Sequence, residues 1–409
     1  TGRLAMIFQR ARVSLLTLLL AGAALPAAFA DDAAPAAAPA FAAGDAEPTD
    51  LLMSGLLLGS THAGERIVAV GEYGHVALSD DQGKTWRQAA KVPTQATLTS
   101  VTFVDAKSGW AAGHDKTIIA TTDGGETWTL QYSRDISAAS GLKLEPRGRA
   151  EAEVPAAPVD GALPAEGTPP VDGAAPPADD VAANDGISTD EGDFVEGDVT
   201  GSDVEPDIPF LGLVFTSPTH GIAVGGFNYA VETNDGGKTW APRRLVKTAS
   251  DDFHLNAAFN GPNGSLYVPS EQGQIYRSLD NGATWDIVQT DYEGSFWNGL
   301  TLADGSVLIV GMRGNAWRSA DAGATWTQLA ADVTPESIAG GAQLADGTIV
   351  LVGIGGLVMT SKDNGATWDT GLSQTDRKGI ASVLPGHDGT LLLFGESGFR
   401  EKAMAAPQG

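Results

Sequence analysis

One eight-residue pattern, Ser/Thr-x-Asp-x-Gly-x-Thr-Trp, occurs six times in this chain. The aspartates of successive copies are 42, 112, 45, 41 and 42 residues apart. A pattern that returns at a period near forty residues marks a repeat architecture, in which each copy belongs to one unit of supersecondary structure. We call the copies boxes 1 to 6. Their aspartates are Asp81, Asp123, Asp235, Asp280, Asp321 and Asp363, and their tryptophans are Trp86, Trp128, Trp240, Trp285, Trp326 and Trp368.

Each repeat contains short apolar strands separated by turn residues, as in SVTFVD, GWAAG, TIIATTDGGETW and TLQY of the second repeat. This pattern predicts four-stranded antiparallel sheets. Sheets of this kind bury their faces when they are arranged radially, so the chain is predicted to be all-β, a seven-bladed β-propeller of six box blades and a closing blade. The closing unit, near residues 379–400, has no box. We expect a strand around residues 50–55 to complete it; if that unit merely caps the ring, six blades is the alternative.

The remaining segments differ from the repeats in composition. Residues 1–30 combine three arginines, an apolar run and Ala28-Phe29-Ala30, the pattern of a signal peptide cut after Ala30. Residues 31–50 are rich in Ala, Pro and Asp and are predicted to be a disordered tether. The propeller is predicted over residues 51–402, interrupted by a disordered acidic insertion at 140–209. We therefore expect the mature protein in the periplasm or secreted, or in the thylakoid lumen if the host is photosynthetic.

Charge and cysteine content exclude several functions. The formal charge is −26, but residues 151–207 hold sixteen acidic residues and no lysine or arginine, which leaves about −10 elsewhere. A chain of this charge is a poor match for nucleic acid. With no cysteine, disulfides, thiol nucleophiles and a lipid attached through cysteine are excluded. We expect a monomer without direct membrane insertion after signal cleavage.

The box aspartates are predicted to be structural. An aspartate in such a turn can accept hydrogen bonds from backbone N–H groups and from the threonine hydroxyl of its own turn, while the tryptophan fills space between sheets. Identical groups spread around a ring cannot converge on one reacting atom.

The boxes, the GWAAG and GIAVGG strands and the Gly-x-x-Gly turns after them resemble the BNR or Asp-box repeat. Their arrangement over about residues 55–400 resembles the photosystem II stability and assembly factor family, the Ycf48/Hcf136-like propellers. The resemblance implies a non-catalytic protein-binding or assembly factor for a membrane complex, with photosystem II as the reference partner. For relatives in non-photosynthetic bacteria it suggests an accessory to an RND-type exporter, and the residues do not decide between the two settings.

The binding surface is predicted on the face opposite the boxes. There the turns between second and third strands, together with the connections between blades, place varied side chains on a uniform scaffold. We call this the turn face, and the side that carries the boxes the box face. The family resemblance also implies an arginine-rich patch, and basic residues cluster in the later blades. The predicted binding residues are Tyr73, His114, Phe227, Trp297, Arg243, Arg244, Arg277, Arg313, Arg318 and Arg400.

The alternative function is a glycan-binding propeller or a sialidase-like glycoside hydrolase, because Asp boxes also occur in such proteins. A sialidase needs an arginine triad, a Tyr-Glu pair and an acidic proton donor. The Phe-Arg-Ile-Pro segment that supplies its first arginine is absent, and the neighbours Glu72 and Tyr73 point in different directions. The six histidines show no metal-ligand spacing. We therefore expect no catalytic residues, no metal and no cofactor.

Overall fold

The computed structural model describes residues 44–134, 208–249, 253–329, 334–372 and 376–404. These residues form seven antiparallel sheets, six of four strands and a last one of three. We number the sheets as blades 1 to 7 in chain order. Short turns closed by a 3₁₀-type hydrogen bond connect some of the strands, at Glu72–Gly74, Gly226–Asn228, Pro262–Gly264, Met312–Gly314, Ile354–Gly356 and His387–Gly389.

Blades 1 and 2 precede the long predicted insertion and blade 3 follows it, since the insertion separates β8 from β9. Their strands are β1 (Leu57–Ala63), β2 (Arg66–Gly71), β3 (Val76–Ser79) and β4 (Arg87–Gln88); β5 (Leu98–Phe103), β6 (Gly109–Gly113), β7 (Ile118–Thr121) and β8 (Thr129–Tyr132); β9 (Phe210–Phe215), β10 (Gly221–Gly225), β11 (Ala230–Thr233) and β12 (Ala241–Pro242).

Blades 4 to 7 follow with the same strand order. Their strands are β13 (Phe259–Asn260), β14 (Leu266–Pro269), β15 (Gln274–Ser278) and β16 (Asp286–Gln289); β17 (Phe296–Thr301), β18 (Val307–Gly311), β19 (Ala316–Ser319) and β20 (Thr327–Leu329); β21 (Ile338–Gln343), β22 (Ile349–Gly353), β23 (Leu357–Ser361) and β24 (Asp369–Leu372); β25 (Ile380–Pro385), β26 (Thr390–Gly395) and β27 (Gly398–Ala403).

The core of the protein is divided among the contacts between neighbouring blades. Each of seven clusters of buried apolar side chains joins two consecutive blades, and one of them joins the last blade to the first through Leu57, Ile67, Leu392 and Phe394. The second strands are apolar on both faces because both faces pack against a neighbour, as in the buried run of β18. The ring is therefore closed, and the seven-bladed propeller is confirmed.

Polar contacts between innermost strands add to this closure. The hydroxyl groups of Ser60 and Ser382 lie 2.7 Å apart, between blades 1 and 7. Thr99 donates to the carbonyl of Phe210 at 2.6 Å, between blades 2 and 3. Such bonds hold the inner strands around a central channel.

The predicted closing strand at residues 50–55 was wrong. These residues form a turn, in which the amides of Ser54 and Gly55 both bond to the carbonyl of Leu51 at 2.9 Å. Because these local bonds satisfy the backbone, only one link to blade 7 remains, from the amide of Phe399 to the carbonyl of Met53 at 3.1 Å. The segment still covers the junction between blades 7 and 1, where Leu52 is buried.

The described residues include one end of the predicted tether and one end of the predicted insertion. The signal peptide, the tether up to residue 43, and residues 140–207 of the insertion lie outside the described residues. Residues 44–50, which the sequence placed in the tether, lie against blade 1: Ala46 is buried, and its amide donates to Val92 at 2.9 Å. At the other boundary, Ile208 is buried beside Phe210.

Every box links the third and fourth strands of its blade and satisfies its own aspartate, as box 4 illustrates. Oδ1 of Asp280 accepts the Ser278 hydroxyl and the Thr284 amide, both at 2.8 Å, and Oδ2 accepts the Thr284 hydroxyl at 2.6 Å. The other five boxes repeat these bonds. The indole of Trp285 closes the turn by donating to the carbonyl of Gly282 at 2.9 Å.

Three arginines connect a blade to the box of the next blade. Arg66 of blade 1 donates to the box 2 carbonyl of Gly124 at 3.1 Å. Arg243 of blade 3 pairs with Glu232 at 2.7 Å and donates to the box 4 carbonyls of Gly282 at 3.0 Å and Ala283 at 2.9 Å. Arg277 of blade 4 holds Asp286 through two hydrogen bonds, at 3.1 and 2.6 Å, and reaches the box 5 carbonyl of Ala322 at 3.4 Å. These side chains act as braces on the box face.

Acid should destabilise the protein through its boxes. The hydroxyl and amide of the box threonine lower the pKa of Asp81, Asp280, Asp321 and Asp363 to about 2, against about 3.9 in an unfolded chain. Because the unfolded state binds these protons first, the stability that the boxes contribute is complete above about pH 4 and is lost between about pH 4 and pH 2.

Thermal unfolding followed by circular dichroism between pH 7 and pH 2 measures this loss. We expect the melting temperature of Asp280→Asn to fall less over that range than that of the wild type, while Asp369→Asn, at an exposed position outside the boxes, should follow the wild type. A wild-type melting temperature that stays constant from pH 4 to pH 2 would contradict the box argument.

Removing a brace should cost stability, whereas removing an exposed arginine should not. We expect Arg277→Gln to lose about 1 kcal/mol, since the change breaks hydrogen bonds of a guanidinium that is only 13% exposed. Arg313→Gln, in the neighbouring blade, is the matched control: its side chain is exposed, so the free energy of unfolding should change by less than about 0.5 kcal/mol. Urea titration of both variants measures the difference, and equal losses would show that Arg277 is not a brace.

Candidate functional site

The turns between second and third strands lie opposite the boxes, because successive strands are antiparallel. Five of the seven turns hold a residue other than glycine at the same left-handed position: Tyr73, Asp115, Phe227, Gln272 and Arg313, with φ between 54 and 55°. The next residue also has positive φ, as in the type I′ turn of a β-hairpin. Bulky side chains rarely adopt this conformation, and strain of this kind concentrates at functional sites.

The turns expose several of these side chains. Tyr73 is 63% exposed and Phe227 is 36% exposed, and the ring of Phe227 lies 4.9 Å from that of His254. Arg313 and His114 are also exposed. Four predicted binding residues therefore share the turn face, and the half-exposed Trp297 lies nearby at the start of blade 5.

The predicted arginine patch is not assembled as one surface. The braces Arg243 and Arg277 lie on the box face, and Arg318 binds the hydroxyl of Ser306 at 2.9 Å and Asp304 at 2.5 Å. Arg400 holds Asp376 with two hydrogen bonds, at 3.2 and 2.5 Å, which lower the pKa of Asp376. The exposed Arg244 donates to the carbonyl of Ala249 at 2.5 Å.

Arg313 differs from these arginines. Within the described ranges its guanidinium forms no ion pair. Burial raises the pKa of the neighbouring Tyr292, and the positive charge of Arg313 opposes that rise. It is therefore available for a ligand.

A cavity on the turn face lies between blades 4 and 5, with a volume of about 1290 Å³. Three tryptophans, a free guanidinium and several carboxylates surround it. Its lining includes His254, Asn256, Glu271, Gln272, Asp291, Tyr292, Glu293, Ser295, Trp297, Met312, Arg313, Trp317, Trp326 and Gln328. We call this the blade 4/5 cavity.

Two side chains of the cavity already contact each other. Nδ1 of His254 lies 2.8 Å from Oε1 of Glu271. The hydroxyl of Tyr292 donates to the carbonyl of Met312 at 3.0 Å and so fixes the connection between the blades against the turn of blade 5. The cavity wall is thus held in place by bonds of its own.

The central channel has a different chemistry. It has a volume of about 360 Å³, and its lining comes from the innermost strands and the segment that leads into β13. Among the described residues that line it there is no charged side chain, and serine, threonine, asparagine, glycine and apolar residues surround it. Elsewhere in the described ranges, no three His, Cys, Asp or Glu side chains come together to hold a metal ion.

Sequence reasoning missed two residues that shape the blade 4/5 cavity, Ser270 and Trp317. The sequence of the repeats contains a signal for each of these two residues. Alignment of the seven turns shows Ser270 where the other blades have glycine, and Trp317 is one of only three tryptophans outside the boxes.

Three comparisons place the chain among known proteins. The family model described as "Photosynthesis system II assembly factor YCF48" matches residues 80–144 and 201–350. "Photosystem II assembly lipoprotein Ycf48" of Synechococcus sp. (strain CC9902) is 32% identical over 90 residues, which are 22% of this chain and 26% of that protein. "Photosystem II stability/assembly factor HCF136, chloroplastic" of Arabidopsis thaliana is 27% identical over 90 residues, 21% of this chain and 22% of that protein. The chain thus matches about a quarter of the length of these two relatives.

Solved structures share the fold over most of the chain. The structure titled "YCF48 bound to D1 peptide" is 16% identical with a TM-score of 0.55, covering 88% of this chain and 97% of that one. A streptogramin B lyase is 11% identical with a TM-score of 0.57, covering 87% of this chain and 95% of that one. Identities this low show the propeller fold and no activity.

The family model is more specific than the shared fold, since it matches two stretches that include boxes 1 to 5 and together make up more than half of the 409 residues. The chain therefore belongs to the photosystem II assembly factor YCF48 family.

Proposed function

We propose that this protein is a non-catalytic binding and assembly factor, which holds a segment of a membrane protein complex against its turn face. The observation that carries the proposal is the set of exposed, left-handed side chains at one position of successive blades, with Tyr73, Phe227 and Arg313 as its bulkiest members. A uniform scaffold that places different side chains at equivalent points can recognise an extended partner.

The relatives support this proposal. Family members are named as photosystem II assembly and stability factors, and one related propeller has been solved with a D1 peptide. In a photosynthetic host the partner would be a photosystem II-like complex. In a non-photosynthetic bacterium it would be an exporter of the RND type.

The central channel argues against the rival function. A sialidase needs arginines at the ring centre to bind the substrate carboxylate, and a pair of catalytic carboxyl groups. The described lining of the channel offers neither, and Arg66, the early-strand arginine, is bound to Asp80 at 2.5 Å and to Glu126 at 3.2 Å on the box face. This arrangement favours a binding protein over an Asp-box glycosidase.

The proposed location is the periplasm or, in a photosynthetic host, the thylakoid lumen. The composition of residues 1–30 is the basis for it. Among the described residues no helix is long and apolar enough to cross a bilayer. A monomer would then meet the membrane through its partner.

Crosslinking in intact cells, followed by affinity capture and mass spectrometry, tests the proposal. We expect the wild type to capture one membrane complex. The triple variant Tyr73→Ala, Phe227→Ala, Arg313→Gln should capture at least tenfold less of it, because the variant removes exposed contacts of the turn face. The matched control, Lys84→Gln, Lys238→Gln, Lys362→Gln, changes three exposed residues of the boxes and should capture the complex as the wild type does.

The captured subunits identify the complex, so a photosystem and an exporter are distinguished directly. Recovery of no protein partner by the wild type would contradict the proposal. Equal losses in the triple variant and its box-face control would place binding elsewhere than on the turn face.

A further inference from the structure

Blade 4 departs from the other six blades at one residue at the end of its second strand. Those six have glycine there, and a Cβ at Gly311, for example, would lie 2.2 Å from the carbonyl oxygen of Ser295. A Cβ would lie 1.9–2.1 Å from the corresponding first-strand carbonyl oxygen at the equivalent glycines Gly71, Gly113, Gly225, Gly353 and Gly395. Since real Cβ atoms do not approach this closely, the first strand can lie this close to the second only where this position is glycine. Blade 4 has Ser270 instead.

The equivalence of Ser270 and Gly311 follows from the backbone. The amide of Ser270 donates to the carbonyl four residues later, of Gln274, at 3.0 Å, as that of Gly311 donates to Asn315 at 2.9 Å. The Ser270 hydroxyl then takes over the carbonyl of the first-strand segment, donating to His254 at 2.7 Å. The first-strand segment of blade 4 thus stays bonded to its second strand, through this hydroxyl and through the amide of Asn256, which donates to the carbonyl of Pro269 at 2.9 Å.

The inner strand of blade 4 is short. β13 contains only Phe259 and Asn260, whereas β17 of the next blade has six residues. The segment before β13 also contacts blade 5, where Nδ2 of Asn256 donates to the carbonyl of Phe296 at 2.7 Å and to the hydroxyl of Ser295 at 3.0 Å. The blade 4/5 cavity opens beside this segment, with His254 and Asn256 in its wall.

The floor of the cavity carries a donor that has no acceptor. Trp317 is only 7% exposed, and its Nε1 finds no hydrogen-bond partner among the described residues. The box tryptophan next to it, Trp326, bonds instead to the carbonyl of Gly323 at 3.2 Å. A buried donor without a partner destabilises the protein, and a ligand carbonyl that accepted from it would remove this cost.

The mouth of the cavity has the opposite chemistry. The exposed carboxylates of Asp291 and Glu293 form no ion pair within the described ranges, and Glu271 contacts His254. The half-exposed ring of Trp297 lies beside them, and tryptophan is the aromatic side chain that binds cations best. Arg313 is the one cation at the mouth that forms no ion pair among the described residues, so negative charge predominates there. The mouth therefore favours a positively charged group that enters between Asp291, Glu293 and Trp297.

We propose that the blade 4/5 cavity binds an extended peptide segment that carries a basic side chain. A main-chain carbonyl accepts from Nε1 of Trp317, and the basic side chain meets Asp291, Glu293 and Trp297. The volume, about 1290 Å³, exceeds the range of about 300–1,000 Å³ that is usual for small-molecule sites and leaves room for several residues. This inference deepens the proposed function and rests on it, since it names the class of segment that the turn face takes.

Fluorescence anisotropy with three dye-labelled nonapeptides tests the inference on the full-length chain. The peptides share an alanine and glycine sequence and differ at two positions, which are lysine, glutamine or glutamate. We expect the lysine peptide to bind at least tenfold more tightly than the glutamate peptide, with the glutamine peptide between them. The difference should shrink as salt is raised from 20 to 500 mM, because the mouth is open to solvent.

Variants assign each effect to a residue. Asp291→Asn with Glu293→Gln should remove most of the preference for lysine, whereas Trp317→Phe should weaken all three peptides by a similar factor, since it removes the donor and keeps the ring. Ser270→Gly should also weaken all three, because it removes the hydroxyl that holds the carbonyl of His254 in the cavity wall. Ser100→Gly in blade 2 is the control for a serine-to-glycine change on an inner strand. Melting temperatures identify any variant that does not fold. The variant Asp291→Asn with Glu293→Gln changes only exposed residues, so it still tests the preference for lysine in that case.

The outcomes separate this inference from the proposed function. Equal binding of the lysine and glutamate peptides, or no binding of any peptide up to 1 mM, would overturn the inference. If the Ser270→Gly protein also still captured its membrane complex in cells, the assembly function would stand and the binding site would lie elsewhere. Loss of the complex from the wild-type capture would instead remove the function on which the inference depends.

Discussion

The carboxylate of each box, bound entirely within its own turn, is the constraint on which the rest of this propeller depends. Asp280 accepts the amide and the hydroxyl of Thr284, so the turn needs no outside partner to hold its shape. Its carbonyls are then free to accept from the preceding blade, and Arg243 takes two of them. A local hydrogen-bond pattern that is complete in eight residues thereby becomes the point at which one blade is fixed to the next. Repeated from blade to blade, it sets the period and favours the ring.

Because the boxes fix one face of the ring, the two faces have different properties. The box face is nearly identical from blade to blade because each copy must satisfy the same carboxylate. The turn face carries no such requirement, and its left-handed positions hold a tyrosine, an aspartate, a phenylalanine, a glutamine and an arginine. Side chains of this size pay a conformational penalty at positive φ, and the scaffold tolerates it because stability is supplied elsewhere, by the apolar clusters between blades and by the boxes.

The features that the sequence predicted are those that local chemistry determines. The box aspartates, the period and the seven units follow from residues that interact within one turn or one sheet. The failures concern contacts between distant segments. Residues 50–55 have the composition of a strand, but their amides bond to Leu51 within the turn. The arginines cluster in sequence, yet Arg243 and Arg277 are drawn to box carbonyls of the following blade, a contact that no single repeat reveals. The cavity depends on both kinds of information, since Ser270 is visible in an alignment of the repeats while the unpartnered Nε1 of Trp317 requires the packed structure.

In a repeat protein, a departure from the repeat is more informative than the repeat itself. Glycine at the end of six second strands lets the first strand approach, and at that position nothing about the fold calls for a larger residue. Ser270 replaces that glycine in blade 4, where its hydroxyl holds the carbonyl of His254 in the cavity wall. The same region leaves the buried indole N–H of Trp317 without an acceptor among the described residues. A serine where six other blades have glycine, next to a buried donor without an acceptor, is physically consistent with a ligand at this junction between blades.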